Sequence, residues 1–156
     1  MKINLRQVMV PLDYYPIISE DTSLDNAINV LTEEFKKRDN SWNNYEAVLI
    51  SSSCGEITGM LTLHSALKAT RDFNYPSLRN RISNLLFNQP FPTSNLQVKT
   101  FSQPLKNRLV NISDELDDVI SVVLEHNFNT VLVSSNNRIV GAIRTIDLFW
   151  YIDDVL

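Results

Sequence analysis

Gly141-Ala142-Ile143-Arg144-Thr145-Ile146-Asp147 decides the fold of this chain, because an apolar strand ends there and a helix carrying Leu148, Phe149, Trp150 and Ile152 begins. An earlier stretch, Gly59-Met60-Leu61-Thr62-Leu63-His64-Ser65, has the same glycine, the same apolar pair and again a polar helix start. The chain has only three glycines. Two of them at matching points of two similar segments argue for an internal repeat.

Outward from these stretches, the flanking residues repeat as well. Ser19 to Ser23 offers N-cap residues, and Leu24, Ala27, Ile28, Leu31 and Phe35 follow at helical spacing. Lys36, Lys37 and Arg38 suit the negative end of that helix, and Asp39 to Asn44 reads as the loop that ends it. Ala47 to Ile50 is a buried-type strand, Ser51 to Gly55 a turn, and Ile57 to Leu61 a second strand feeding a helix from about Ser65. The second half retraces this order. Val110 and Ile112 form a short strand, Ser113 to Glu115 a cap, and Leu116, Val119, Ile120, Val123 and Leu124 a helical stripe stopped by Asn127. Val131 to Val133 and Ile139 to Ile143 are strands around an Asn136-Asn137 turn, and the last helix starts near Asp147.

The order strand, helix, strand, strand, helix therefore occurs twice, and the fold class is α+β. The lead-in residues 5–18, with Pro11 and Pro16, read as extended and turn-punctuated, with Ile17 and Ile18 closing a short strand. The first repeat is expected over 1–70, a connecting insert over 71–104 and the second repeat over 105–156. Leu24 to Val48 is nine positions longer than Leu116 to Val131, so the first repeat has the longer helix or loop. The insert holds four of the six prolines together with Phe73, Tyr75, Phe87, Phe91 and Phe101. Leu78, Ile82, Leu85 and Leu86 predict a short helix there that packs on one repeat.

At 156 residues and 44% hydrophobic, the chain can bury the core of one domain or of two small linked ones. No apolar run approaches the roughly 20 residues of a membrane span. Met1 to Arg6 lacks a signal-peptide pattern, and Cys54 is the only cysteine, so a soluble, cytoplasmic protein without disulfides is expected. A net charge of −4 argues against nucleic acid as a partner. The acid-free stretch between Asp72 and Asp114 still carries Arg79, Arg81, Lys99, Lys106 and Arg108, either as a solvated linker or as a surface for an anion or an acidic partner. His64 and His126 lack metal-site spacing, and with three glycines a phosphate loop is hard to build. Neither a metal nor a catalytic motif is expected.

Ile18 to Ile28, Val131 to Val133 with Arg138 to Ile143, and the helix starts after Gly59 and Gly141 together resemble a tandem cystathionine β-synthase (CBS) domain pair, the Bateman module. The resemblance covers nearly everything except the insert. It implies two repeats packed as one pseudo-symmetric module, without catalytic activity or a required cofactor. In the family, AMP, ADP, ATP or S-adenosylmethionine binds as a regulatory ligand in clefts between the repeats, and two modules often dimerise into a flat disc. A homodimer is therefore expected here, with a regulated protein partner whose identity the sequence does not carry.

The family's ligand signature is a glycine, an apolar pair, Ser or Thr, two further residues and Asp. A carboxylate can accept both ribose hydroxyls, while a hydroxyl and free helix N–H groups can hold phosphate. Asp147 fills the acidic position of the second repeat, but Arg144 stands where Ser or Thr is usual, with Thr145 beside it. Thr62 keeps the hydroxyl of the first repeat, but Ser65 replaces the Asp. The resemblance thus implies Asp147 for ribose and a first-repeat site without ribose recognition, while Arg144, which departs from the signature, could offer charge-assisted contacts to phosphate. The plain alternatives are a helix cap for Asp147 and a surface salt bridge for Arg144. For the whole chain the alternative is a structural dimerisation or partner-docking module that binds no nucleotide, to which Trp150 and Tyr151 on an apolar terminal helix would contribute.

Overall fold

The computed structural model describes residues 3–37, 47–72, 97–100 and 102–155. The loop after the first helix, the expected helix of the insert and the Phe35 side chain lie outside the described residues. Four helices are described: α1 (Leu24–Lys37), α2 (Leu63–Asp72), α3 (Leu116–His126) and α4 (Thr145–Val155). The strands are β1 (Val10–Pro11), β2 (Ile17–Ser19), β3 (Ala47–Ser51), β4 (Ile57–Thr62), β5 (Gln103–Pro104), β6 (Leu109–Asn111), β7 (Thr130–Ser135) and β8 (Arg138–Arg144). They form two four-stranded sheets, ordered β2-β3-β4-β5 and β1-β8-β7-β6. The expected duplicated order is observed as β2-α1-β3-β4-α2 and β6-α3-β7-β8-α4, an α+β fold.

The duplication reaches individual hydrogen bonds. β2 runs parallel to β3 with Ile17 opposite Leu49, and β6 runs parallel to β7 with Leu109 opposite Leu132. The antiparallel pairs β3–β4 and β7–β8 lose register at the same point, between Ile50 and Ser51 and between Val133 and Ser134. There the Ser51 hydroxyl donates to the Ile18 carbonyl at 3.4 Å, and the Ser134 hydroxyl to the Val110 carbonyl at 3.3 Å.

The helices follow their sequence signals. Ser23 Oγ accepts the Asn26 N–H at 3.3 Å, and Leu24, Ala27, Ile28 and Leu31 of α1 are buried. A capping box between Glu115 and Asp118 opens α3, and Asn127 closes it at φ 53°. Val119 and Val123 are buried there, but Leu124, expected in the same stripe, is exposed. At roughly 100° per residue it sits about 80° around the helix from Leu116. α2 and α4 begin two residues earlier than expected, because Ser65 and Asp147 are not first helical residues but third ones that reach back to the cap.

The compact units cross the repeat boundaries. One joins the residues up to Tyr15 with those from Leu105 onward, and the other runs from Pro16 to Pro104. The lead-in up to Tyr15, expected within a first repeat of 1–70, thus belongs to the unit of the second. Leu5 and Val8 lie in its core with Val110, Val119, Val123, Val131, Val133, Ile143 and Leu148. Pro11 of β1 pairs opposite Gly141 at the edge of its sheet. Reciprocally, the end of the insert completes the first repeat. Val98 joins the core of Leu24, Ile28, Val48, Ile50 and Leu61, and Pro104 of β5 pairs opposite Gly59.

The two repeat glycines are where these strands pass. A Cβ on Gly141 would lie 2.6 Å from the Val10 carbonyl oxygen, and one on Gly59 would lie 3.0 Å from Ser102 Oγ and 3.1 Å from the Gln103 carbonyl oxygen. Both prolines sit on edge strands, where a missing N–H breaks no ladder. Among the described residues, no helix is long and apolar enough to cross a membrane.

If the lead-in is core, Leu5→Ala should cost about 2–5 kcal/mol in urea unfolding. Leu67→Ala, at an exposed position on α2, should stay within about 0.5 kcal/mol. Equal stability of the two variants would remove the lead-in from the core.

Candidate functional site

Each strand-to-helix junction ends its strand on the cap residue and places the third helical residue one turn above it. At the β8–α4 junction that pair is Arg144 and Asp147. The Asp147 Oδ2 accepts the Arg144 backbone N–H at 2.9 Å and its Nε–H at 2.8 Å, and Oδ1 accepts from Nη2. The two side chains are only 9% and 13% exposed. This is a two-pronged, charge-assisted contact in a largely desolvated place. Asp147 therefore does serve the helix start, while the salt bridge of Arg144 is buried rather than on the surface as expected. Thr145 is also engaged: its N–H donates to the Asn129 carbonyl at 2.9 Å, and its hydroxyl lies 3.3 Å from the Phe128 and Asn129 carbonyl oxygens.

At the β4–α2 junction the same positions hold Thr62 and Ser65. Ser65 Oγ accepts the Thr62 N–H at 2.8 Å and the Thr62 hydroxyl at 3.1 Å, and donates to the Thr62 carbonyl at 3.0 Å. Thr62 Oγ1 in turn accepts the Ser65 N–H at 3.1 Å. A hydroxyl has one proton and two lone pairs, so the buried Ser65 Oγ is saturated. Thr62 and Ser65 form a neutral, self-satisfied box.

Sequence reasoning places Arg108 only among the basic residues of the acid-free stretch. The structure buries it. Its guanidinium carbon lies 3.8 Å from the centroid of the Phe128 ring, and Nη1 donates to the Thr130 carbonyl at 3.2 Å. Burial draws its pKa below the ordinary arginine value. Thr130 pairs directly across from Arg144, so two buried arginines attend one end of the β7–β8 pair. Aligning the repeats exposes the signal: the Leu49 N–H bonds to the Pro16 carbonyl where the Leu132 N–H bonds to that of Arg108, so an arginine replaces a proline.

His64 is exposed at the second position of α2, and Cys54 is an exposed thiol. Among the described residues, no three His, Cys, Asp or Glu side chains gather as metal ligands.

No family model matches the sequence, and no curated protein matches it. Solved structures do. A CBS domain-containing protein of unknown function from Bacillus anthracis aligns at TM-score 0.71 and 10% identity, covering 99% of this chain and 95% of its own. CBSX2, in complex with AMP, aligns at TM-score 0.68 and 18% identity over 97% of both chains. CbpB, in complex with c-di-AMP, aligns at TM-score 0.65 and 11% identity over 98% of this chain and 86% of its own. At these identities the likeness is one of fold.

Removing a partner from a buried ion pair leaves an uncompensated charge, so Asp147→Ala should cost about 3–5 kcal/mol in urea unfolding. Asp21, 3.4 Å from Lys99 with side chains 60% and 51% exposed, is the control: Asp21→Ala should cost less than about 1 kcal/mol.

Proposed function

With the fold of a tandem CBS pair as the premise, we propose that this chain is a non-enzymatic regulatory module that binds an adenosine-containing ligand at the β8–α4 junction. The observation that carries the reading is Asp147, a carboxylate at the signature position on the first turn of α4, flanked by the buried Arg144. Asp147 would take the ribose hydroxyls, and Arg144 and Thr145 the phosphate, near the positive end of the helix dipole. AMP, ADP, ATP and S-adenosylmethionine are the candidate ligands. The AMP bound to CBSX2 and the c-di-AMP bound to CbpB support this class. Thr62 and Ser65 lack a carboxylate and bond to each other, so the first-repeat junction is assigned no ribose.

The ligand would act by population shift, favouring one of two arrangements that a partner protein reads. In a thermal-shift series, ligand concentrations well above Kd should raise Tm progressively. The rise should vanish in Asp147→Ala, compared with that variant's own ligand-free baseline. Calorimetry that detects no binding of any of the four ligands at millimolar concentration would sink the proposal.

A second reading rests on α4 itself. Phe149, Trp150 and Ile152 are exposed there, Phe149 and Trp150 meeting edge to face with centroids 6.0 Å apart. Aromatic surface of this kind suits a protein contact, with a second copy of the chain as partner. Sedimentation should then give a dimer that Trp150→Lys converts to monomer, and a wild-type monomer at high concentration would exclude it.

A further inference from the structure

We propose that Arg144 makes a phosphate a requirement for binding at this junction, which narrows the candidate ligands to AMP, ADP and ATP and excludes S-adenosylmethionine, because its guanidinium holds the carboxylate oxygens that ribose would use. This rests on the assignment of ribose to Asp147. A carboxylate presents about four lone-pair sites. Oδ2 already receives two N–H groups, one from the Arg144 backbone and one from Nε, and Oδ1 receives Nη2. A vicinal diol that donates one hydroxyl to each oxygen finds no position left on Oδ2. The ribose enters only as the guanidinium leaves.

The two groups separate cleanly because their ties differ. When the guanidinium swings away, the backbone N–H of Arg144 still holds Oδ2 at 2.9 Å, so the carboxylate keeps its orientation toward the incoming diol. The guanidinium, however, loses its two charge-assisted bonds to Asp147 in a place where only 9% of its side chain meets solvent. A phosphate beside the start of α4 would receive the same two-pronged donor set. A nucleoside, which has the diol and no anion, offers the displaced cation nothing. Arg144 therefore discriminates by exchange, trading one anion for another. The first repeat cannot do this, since its corresponding residue is the uncharged Thr62.

The test compares adenosine with AMP by calorimetry on the wild-type protein and on Arg144→Ser, with circular dichroism to check that the variant is folded. Loss of the competing guanidinium should tighten adenosine about tenfold, and the preference for AMP over adenosine should fall by about tenfold or more. Arg144→Lys keeps a cation without the fork and should fall between the two. On the wild-type protein, the Arg144 Nε–H resonance should move on saturation with AMP, which tests the exchange without any substitution. AMP binding with an unchanged AMP-to-adenosine ratio in Arg144→Ser, or an unmoved Nε–H resonance, would overturn the role of Arg144 alone. Absence of AMP binding to wild type and variant alike would overturn the nucleotide reading along with it.

Discussion

The architecture depends on two close backbone approaches. A proline-bearing edge strand passes Gly141, another passes Gly59, and at Gly141 a β-carbon would come within 2.6 Å of a carbonyl oxygen. At Gly59 the margin is 3.0 Å to a side-chain oxygen and 3.1 Å to a backbone one. Each strand comes from the segment that precedes the other repeat in sequence. Neither contiguous repeat therefore contains its whole sheet. Pairing β1 with β8 closes a loop of nearly the whole chain, and the entropic cost of that closure grows only logarithmically with its length. The burial of Leu5 and Val8 that comes with it scales with apolar area and offsets the cost.

Fixing the glycines also fixes the junctions downstream of them. Three residues beyond each glycine the strand ends on a cap, and six residues beyond stands the side chain that must accept the cap's N–H. Ser65 meets this demand at 2.8 Å and Asp147 at 2.9 Å. Since a neutral hydroxyl suffices in one repeat, the charge of Asp147 is not required by the helix in the other. Nor does stability demand the ion pair, because neutral, well-packed replacements of buried pairs are often as stable. The carboxylate and its arginine exceed what the fold asks of the junction, and that excess supports a ligand role.

Elements defined by local periodicity were legible in the sequence. The stripe of α1 from Leu24 to Leu31, the capping residues, the Asn127 stop and the duplicated order all appear in the structure because each element is decided within a turn or two of chain. The exchanged strands β1 and β5 were not legible: each spans two residues, too few for any period, and their pairing is set by distant partners. The matching glycines pointed to the repeat, but the strands they accommodate became visible only in space. Asp147 and Arg144 were legible as candidates from the signature, yet their mutual engagement depends on an i, i+3 geometry that exists only once α4 starts at Thr145. Arg108 was hidden because nothing local separates a buried arginine from the solvated ones around it.

The two junctions also differ in their electrostatics. At β4–α2 the interacting groups are hydroxyls and backbone, with no net charge to satisfy. At β8–α4 the buried Arg108 and Arg144 lie near the positive end of α4, and burial already disfavours the charged form of Arg108. Under the proposed exchange, an anion brought to this end of β7 and β8 would compensate the Arg144 guanidinium released by Asp147. A neutral ligand would not. The same fold, built twice from one pattern, therefore presents one junction of hydroxyls and backbone and one built around a buried ion pair, the difference on which the proposed phosphate requirement rests.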